Sequence, residues 1–318
     1  MDKTLNTELA EENDRGNKAM GKLSLIVEIC VVVVSIMWTI LVSIYRLFIP
    51  VPEKSVKGEV VLITGAGHGL GKELALLYAS EGATVVCLDI HEENNKETIA
   101  TVAKKGYPKA VAYTCDVTDY AQVHTVVDQI QKEVGDITIL INNAGIMPTR
   151  PFLQHTKEEI EQIMNVNVLG YQWTMKAVLP TMVKNNYGHI VAISSLCGMQ
   201  GLPNLAPYCC SKFGIRGLMS TLRVELDFYG KSQIKTTTVF PYIIDTGLAK
   251  KPKVRFPDLF PILSPSVVAK CVMTAQRRDV LERTVPREFV VTDAILHYLP
   301  YAGSKILCDF LDIRIEAE

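Results

Sequence analysis

A tyrosine and a lysine lie four residues apart in the stretch "YCCSK", at Tyr208 and Lys212. On a helix, this spacing places both side chains on one face, one turn from each other. A phenol with a pKa near 10 is a poor base at neutral pH, but a nearby ammonium group favours its phenolate form. Such a pair can exchange a proton with a hydroxyl group. Two interpretations compete with it: an ordinary pair on a helix face, or chemistry carried by the intervening Cys209 and Cys210.

The cysteines do not follow a pattern typical of catalysis or metal binding. Eight are scattered along the 318 residues, with no CxxC pair and no Cys/His cluster at metal-ligand spacing. Adjacent cysteines rarely bridge each other, because the disulfide geometry strains a trans peptide. We therefore expect reduced thiols that pack as small apolar side chains in a reducing compartment, and no metal site.

A glycine-rich turn, "TGAGHGLG" (64–71), follows a β-branched run and precedes a helical stretch. Without side chains at Gly65, Gly69 and Gly71, the backbone can approach a pyrophosphate at the helix N-terminus. A plain tight turn is the alternative. His68 lies inside this turn, and we interpret it as a surface residue of the loop rather than as a reactive group.

The second β-branched run ends in Asp89, 18 residues after Gly71. A carboxylate there can accept hydrogen bonds from both ribose hydroxyls of an adenosine and would repel a 2′-phosphate. The neighbouring Ile90 and His91 supply no arginine for that phosphate. This region therefore predicts NAD as the cofactor, with NADP as the weaker alternative.

Short β-branched runs and amphipathic helical stretches alternate from Val56 onward. Strands that alternate with helices of ten or more residues indicate a parallel sheet covered on both faces, which is the doubly wound α/β fold. Long helical stretches are expected at about 157–184 and 206–229. The predicted strands are 59–64, 84–89, 110–116, 137–145, 188–195 and 235–241.

The spacing of the glycines, with three residues and then one residue between them, resembles the short-chain dehydrogenase/reductase family rather than the GxGxxG folds. Further motifs of that family follow in order: "NNAG" (142–145), "NVNVLG" (165–170), a serine ending the fifth strand, and the Tyr/Lys pair. The resemblance covers about residues 58–250. It implies a Rossmann-like fold and hydride transfer between an alcohol and a nicotinamide.

The resemblance also implies roles for single residues. Tyr208 exchanges the hydroxyl proton, Ser195 holds the substrate oxygen, and Asn167 keeps a water relay to Lys212 in place. Lowering the pKa of Tyr208 to about 7 takes roughly 4 kcal/mol, which we expect from the lysine and the cationic nicotinamide. The implied cofactor contacts are Gly65, His68, Gly69, Leu70, Gly71, Asp89, Ile90, Asp116, Val117, Asn143, Ala144, Gly145, Tyr208, Lys212 and Thr246.

One position departs from the family pattern. Pro241 is followed by Tyr242, where the family usually has glycine, so a bulky side chain is expected in the wall of the nicotinamide pocket. A non-glycine residue here, together with "YCCSKF" and "TTTVFPYIIDTG", resembles the membrane-anchored retinol and 17-beta-hydroxysteroid dehydrogenases. No residue decides between those substrates, which we rank as retinol first and hydroxysteroid second.

An apolar run occupies residues 23–49 and is interrupted only by Glu28 and Arg46. A bilayer crossing needs about 20 such residues, so we expect a membrane anchor. A signal peptide and a buried core helix are the alternatives. The run is long for a signal peptide. Pro50 and Pro52 end the run before the next domain begins, which is unfavourable for a buried core helix. The lysine and arginine residues on its two sides predict no orientation.

The expected organisation is a polar segment at 1–22, the anchor at 23–49, the dinucleotide-binding catalytic domain at 56–290 and an apolar tail at 291–318. The tail can cap the pocket, rest on the membrane or complete a homodimer. We expect the endoplasmic reticulum membrane or a lipid droplet surface as the location, with the catalytic domain on the cytosolic side.

Bulk composition narrows the partners. Apolar residues make up 48% of the chain and the formal net charge is −1, so a folded core is expected and a nucleic-acid partner is not. The loops at 196–207 and 242–265 are rich in apolar residues, which fits an apolar alcohol better than a sugar or a polar acid. A retained fold that serves only as a scaffold on a membrane or lipid droplet is the alternative of another class.

Overall fold

The structure is a computed structural model that describes residues 3–317. The chain divides into two units, Met1–Pro52 and Glu53–Glu318, each of which is described by itself.

The first unit contains one long helix, α1 (Lys3–Phe48). Its segment Ser24–Arg46 has 23 residues with a mean hydropathy of 2.7, and its side chains are exposed. At about 1.5 Å per residue the segment is roughly 34 Å long, comparable to the hydrocarbon core of a bilayer. By length and composition it is a candidate membrane span.

The second unit contains a seven-stranded parallel sheet and a separate two-stranded antiparallel sheet. The strands are β1 (Val60–Thr64), β2 (Thr84–Asp89), β3 (Ala110–Thr114), β4 (Ile139–Asn142), β5 (Gly188–Ile193), β6 (Ile234–Pro241), β7 (Pro252–Lys253), β8 (Glu282–Val285) and β9 (Arg314–Ile315). The order in the larger sheet is β3-β2-β1-β4-β5-β6-β8, and the smaller sheet pairs β7 with β9.

Helices connect consecutive parallel strands and cover both faces of the sheet, as the alternating sequence pattern predicts. They are α2 (Gly69–Ser80), α3 (Glu92–Lys104), α4 (Tyr120–Glu133), α5 (Lys157–Met164), α6 (Gly170–Asn185), α7 (Ala206–Phe228), α8 (Pro265–Arg277), α9 (Phe289–Tyr298) and α10 (Tyr301–Leu311). The doubly wound α/β prediction is confirmed.

Two apolar clusters form the core, one on each face of the sheet. Side chains alternate along each strand, so Val61 and Ile63 of β1 pack on one face and Leu62 on the other. The first cluster includes residues of α2, α3 and α8, and the second includes residues of α4, α6 and α7. Burial on both faces explains why these strands read as continuous apolar runs.

Three local features differ from the sequence expectations. The helical stretch expected at 157–184 is divided into α5 and α6 by a π-helical turn, Asn165–Leu169. A seventh parallel strand, β8, extends the sheet beyond β6. The loop at 242–265, for which no strand is predicted, contains β7, which pairs with the C-terminal β9.

Candidate active site

A cleft of about 1070 Å³ opens at the carboxyl ends of the parallel strands. The strand order reverses between β1 and β4. The loops that leave these two neighbouring strands therefore lead to opposite faces of the sheet. Of the predicted site residues, Gly71 and Asn167 do not line this cleft. Those that line it are Gly65, His68, Gly69, Leu70, Asp89, Ile90, Asp116, Val117, Asn143, Ala144, Gly145, Ser195, Tyr208, Lys212 and Thr246.

The glycine turn forms a cradle that side chains would fill. Gly65 has φ +66°, and a Cβ there would lie 3.0 Å from Ala144 Cα. Gly69 has φ +53°, and a Cβ there would lie 3.0 Å from Thr246 Cβ. The N-cap residue of α2, His68, makes no side-chain hydrogen bond to the helix, so the first-turn amides face the cleft without a side-chain cap. Such a turn suits a phosphate group.

Gly71, the third glycine of the turn, lies against the main chain of Gly65. A Cβ at this position would lie 1.9 Å from the carbonyl oxygen of Gly65. The missing side chain therefore lets α2 pack against the end of β1, as close helix–strand packing requires. Its contribution to the cleft is indirect.

Asp89, the last residue of β2, fixes the loops on both sides of it. Its Oδ2 accepts from the amide of Gly67 at 2.8 Å, and its Oδ1 accepts from the amide of His91 at 2.9 Å. Gly67 was not among the predicted residues, although a Cβ there would lie 3.0 Å from the Asp89 carboxylate. The glycine at every second position of "GAGHG" is the signal that marks it.

Asp116 and the "NNAG" stretch are also held by short local hydrogen bonds. Asp116 Oδ1 accepts from the amide and the hydroxyl of Thr118, at 2.9 and 2.8 Å. The hydroxyl oxygen of Thr64 accepts from the amides of Asn143 and Ala144, at 3.0 and 3.1 Å. Thr64, which sequence reasoning did not select, thus joins the ends of β1 and β4 beside the cleft.

Asn167 lies in the π-helical turn and is fully buried. Its Oδ1 accepts from the amide of Ile146, and its Nδ2 donates to the carbonyl of Ile146, both at 2.9 Å. A Cβ on Gly145 would lie 3.3 Å from Asn167 Oδ1 and 3.6 Å from Lys212 Nζ. Asn167 and Lys212 therefore approach the same glycine, although only Lys212 lines the cleft. π-Helical turns inside helices are frequent at functional sites.

Tyr208 and Lys212 lie on the first turns of α7, at the spacing that the sequence predicts. Lys212 Nζ donates to the carbonyl of Ile193 at 3.0 Å and lies 5.6 Å from the centre of the Tyr208 ring. Ser195 follows β5, where its hydroxyl oxygen accepts from the amide of Cys197 at 3.2 Å. Serine, tyrosine and lysine thus meet at the carboxyl end of β5.

The electrostatics of this group differ from the expectation that the lysine lowers the pKa of the phenol. Burial raises the pKa of Tyr208 above 10, the neighbouring Cys197 raises it further, and a hydrogen bond with the Ser195 hydroxyl opposes them. Burial also lowers the pKa of Lys212 to about 8. Desolvation penalises the charged form of each group and is the largest cause of both pKa shifts.

The two cysteines between Tyr208 and Lys212 have different surroundings. Cys210 is exposed, whereas Cys209 is buried in a small apolar cluster with Tyr208 and Cys197. A hydrogen bond from the Cys197 thiol lowers the pKa of Cys209. Cys209 does not line the cleft, whereas Tyr208 and Cys197 do.

The end of the cleft beside Tyr208 is apolar. Tyr242 is buried there, and its ring stacks on that of Phe289 with centroids 5.1 Å apart. The bulky residue after Pro241 is thus part of the wall, as the sequence predicts. Met147, Leu202 and Ile315 belong to the apolar cluster that contains Tyr208, and Ile243 and Leu248 also line the cleft.

The family model for short chain dehydrogenases matches residues 59–254. The chain belongs to the short-chain dehydrogenase/reductase family. It is therefore an oxidoreductase, and the family prediction is confirmed.

Several curated members of the short-chain dehydrogenase/reductase family are similar along most of their length. Short-chain dehydrogenase/reductase family 16C member 6 of Bos taurus is 40% identical over 280 residues, covering 85% of this chain and 89% of the relative. Human 17-beta-hydroxysteroid dehydrogenase 13 is 37% identical over 295 residues, covering 93% and 97%. Human epidermal retinol dehydrogenase 2 is 40% identical over 265 residues, covering 83% and 86%.

A solved short-chain dehydrogenase/reductase from Burkholderia phymatum, in complex with NAD, has the same fold. The TM-score is 0.69 at 25% identity, and the match covers 76% of this chain and 94% of the solved one. The Rossmann-like fold predicted for this short-chain dehydrogenase/reductase is thereby confirmed.

Proposed function

We propose that this oxidoreductase interconverts a lipophilic alcohol and its carbonyl compound with NAD, and that all-trans-retinol is the first substrate to test. One observation carries the proposal. Ser195, Tyr208 and Lys212 meet where a glycine-lined cleft adjoins an apolar wall. A polar reacting centre between a phosphate cradle and an apolar pocket suits a dinucleotide on one side and a lipophilic alcohol on the other.

The residues of the cleft fit a nicotinamide dinucleotide. The cradle at Gly65 and Gly69 and the uncapped first turn of α2 suit its pyrophosphate, and the Asp89 carboxylate suits its adenosine ribose. When bound, the oxidised cofactor supplies a hydride acceptor and a positive charge. Lys72 of α2, the nearest lysine to the turn, is paired with Glu97 at 2.7 Å, so a partner for a 2′-phosphate is not offered there. These features support NAD over NADP.

Tyr208 is proposed as the group that exchanges a proton with the substrate oxygen. The Tyr208 and Ser195 side chains both line the cleft and interact with each other, so both hydroxyls can hold that oxygen. Burial favours the protonated phenol in the protein alone, and a bound oxidised nicotinamide would supply a positive charge that favours the phenolate. Lys212 approaches the same space as Asn167 above Gly145, which supports a relay of protons between the lysine and solvent.

The substrate class follows from the apolar wall and from the relatives. Met147, Leu202 and Leu248 offer no charged partner, so a hydrophobic alcohol gains by leaving water. Retinol is proposed first because a relative named epidermal retinol dehydrogenase is 40% identical. A 17-beta-hydroxysteroid is the second candidate, because the relative of that name matches 93% of this chain.

A membrane location is proposed with the function. The segment Ser24–Arg46 can cross a bilayer, and a lipophilic substrate dissolves in the same phase. We propose the endoplasmic reticulum membrane or a lipid droplet surface, with the catalytic domain facing the cytosol. The polar segment 1–22, the anchor 23–49, the catalytic domain 56–290 and the tail 291–318 remain the proposed division of the chain.

The test is a substrate panel applied to the full chain in detergent or in membranes. All-trans-retinol, estradiol and a long-chain fatty alcohol are each offered with NAD and with NADP, and formation of reduced cofactor is followed. We expect turnover of retinol with NAD. Turnover of estradiol alone would favour the second candidate, and no turnover of any alcohol, with the dinucleotide bound, would favour the scaffold interpretation.

A further inference from the structure

The last residues of the chain return to the cleft. We call residues 312–316 the C-terminal strap. It begins at Asp312, which ends α10 with a left-handed φ of +42°, and continues into β9, which pairs with β7. Ile315 lies opposite Pro252, and the amide of Glu316 donates to the carbonyl of Lys251 at 3.0 Å. The strap is thus bonded by its main chain to the loop that follows β6.

A second loop also holds the strap. Asn204 lies in the loop between β5 and α7, with a left-handed φ of +65°. Its Nδ2 donates to the carbonyl of Ile315 at 3.0 Å, while its own carbonyl accepts from the amide of Arg150. Asparagine adopts this backbone conformation more readily than most residues. The strap therefore bridges the two loops that were expected to form the substrate walls.

The bridge brings one side chain of the tail into the site. Ile315 is 4% exposed and belongs to the same apolar cluster as Tyr208, Cys197 and Met147. It also lines the cleft. The neighbouring Arg314 is exposed, as alternation along a strand requires. One face of β9 thus points to solvent and the other to the apolar pocket.

We infer that Ile315 is a specificity-determining residue, which contacts the apolar part of the alcohol and limits its bulk beside Tyr208. The inference rests on the proposed function, because it concerns the substrate of that same site. Ile315 carries no reacting group. Its contribution is apolar contact area, and this depends on the length of the side chain and on the bonds that fix the strap.

The experiment measures binding rather than turnover, with the full chain in detergent and NADH present. Retinol binding is followed by the fluorescence of retinol, and NADH binding by that of NADH. Ile315→Val removes one methylene equivalent and Ile315→Ala removes three. Each buried group contributes about 0.8 kcal/mol. The affinity for retinol is therefore expected to fall roughly two- to fourfold in Ile315→Val and about ten- to fiftyfold in Ile315→Ala. The affinity for NADH is expected to stay within about twofold.

The matched control is Ile306→Ala, the same change on α10, where the side chain is 71% exposed. It is expected to bind retinol and NADH as the wild type does. Retinol affinity that is unchanged in both Ile315 variants, or that falls together with NADH affinity and thermal stability, would overturn the inference. If the wild type itself does not bind retinol, both retinol as the proposed substrate and the inference about Ile315 are overturned. If the wild type binds retinol and both Ile315 variants bind it with the same affinity, only the inference about Ile315 is overturned.

Discussion

The choice between NAD and NADP depends on the charge of one side chain, and Asp89→Asn removes that charge while keeping the shape. In the wild type the carboxylate accepts from the amides of Gly67 and His91, at 2.8 and 2.9 Å. The amide side chain of the variant can accept from only one of them. The loss of this hydrogen bond to the glycine turn weakens the binding of NAD and NADP equally, because the two cofactors share the pyrophosphate and the adenosine.

The ratio of the two cofactors isolates the effect of the charge. A hydrogen bond to a charged group contributes about 1.5–3 kcal/mol and one between neutral groups about 0.5–1.5 kcal/mol, so the variant loses part of the ribose bond of NAD. It also loses the repulsion that disfavours the 2′-phosphate of NADP. Together these changes amount to about 1–3 kcal/mol, or roughly a five- to hundredfold narrowing of the preference for NAD.

The assay is the ratio of kcat/KM for NAD and NADP in the wild type and in Asp89→Asn. The control is Asp128→Asn on α4, which removes an exposed carboxylate that does not line the cleft and is expected to leave the ratio unchanged. A wild type that already prefers NADP would show that Asp89 does not select NAD. An Asp89→Asn protein with the wild-type ratio would show the same.

Two further predictions concern the anchor and the acid stability of the fold. A chain without residues 1–52 is expected to lose the carbonate-resistant membrane attachment of the full chain, because Ser24–Arg46 supplies the span; attachment that survives this deletion would contradict that assignment. Burial lowers the pKa of His189 to about 4, although the nearby Asp279 opposes this shift. Between pH 6.5 and 4 the unfolded chain therefore binds more protons than the folded one, and the free energy of unfolding decreases as the pH falls through that window. His189→Gln is expected to reduce this pH dependence of the unfolding free energy by about 3 kcal/mol, measured by denaturant titration at pH 7 and pH 4, and an equal pH dependence in both proteins would contradict the role of His189.

Much of the fold follows from local patterns. The runs that became β1, β2 and β5 are apolar at consecutive positions because both faces of the sheet are covered, and this alone indicates a buried parallel strand. The glycine turn and the Tyr208–Lys212 spacing are equally local. Each can be recognised within a few residues, so the sequence carries them without knowledge of the tertiary structure.

Other features depend on residues that are distant in the sequence. The strands β7 and β9 have two residues each, and their pairing joins positions about sixty residues apart, so no local periodicity marks them. The strand β8 begins with Glu282 and Arg283, a charged pair that does not read as a buried strand. The π-helical turn at Asn165–Leu169 has a helical sequence on both sides, and its distinguishing bonds go to Ile146.

The electrostatics of the site are likewise beyond local reasoning. The spacing of Tyr208 and Lys212 predicts attraction between phenolate and ammonium, but the pKa directions follow from how deeply both groups are buried. That burial results from the packing of α7 against β6, against the turn Leu196–Gly198 and against the π-helical turn Asn165–Leu169. The spacing of residues in a sequence indicates which groups are close together, but it does not indicate how deeply each group is buried.

The proton-transfer role proposed for Tyr208 is tested by the rate of retinol oxidation with NAD by Tyr208→Phe, compared with the wild type and with Cys210→Ala. The phenylalanine variant keeps the ring and loses only the hydroxyl. We expect its turnover to fall by at least about a hundredfold, as for loss of a group that transfers a proton, while its affinity for NADH stays near that of the wild type. Cys210→Ala, on the exposed side of the same turn, is expected to keep wild-type turnover. A Tyr208→Phe protein that oxidises retinol at the wild-type rate, with activity lost instead in Cys210→Ala, would show that Tyr208 is not the proton-transfer group.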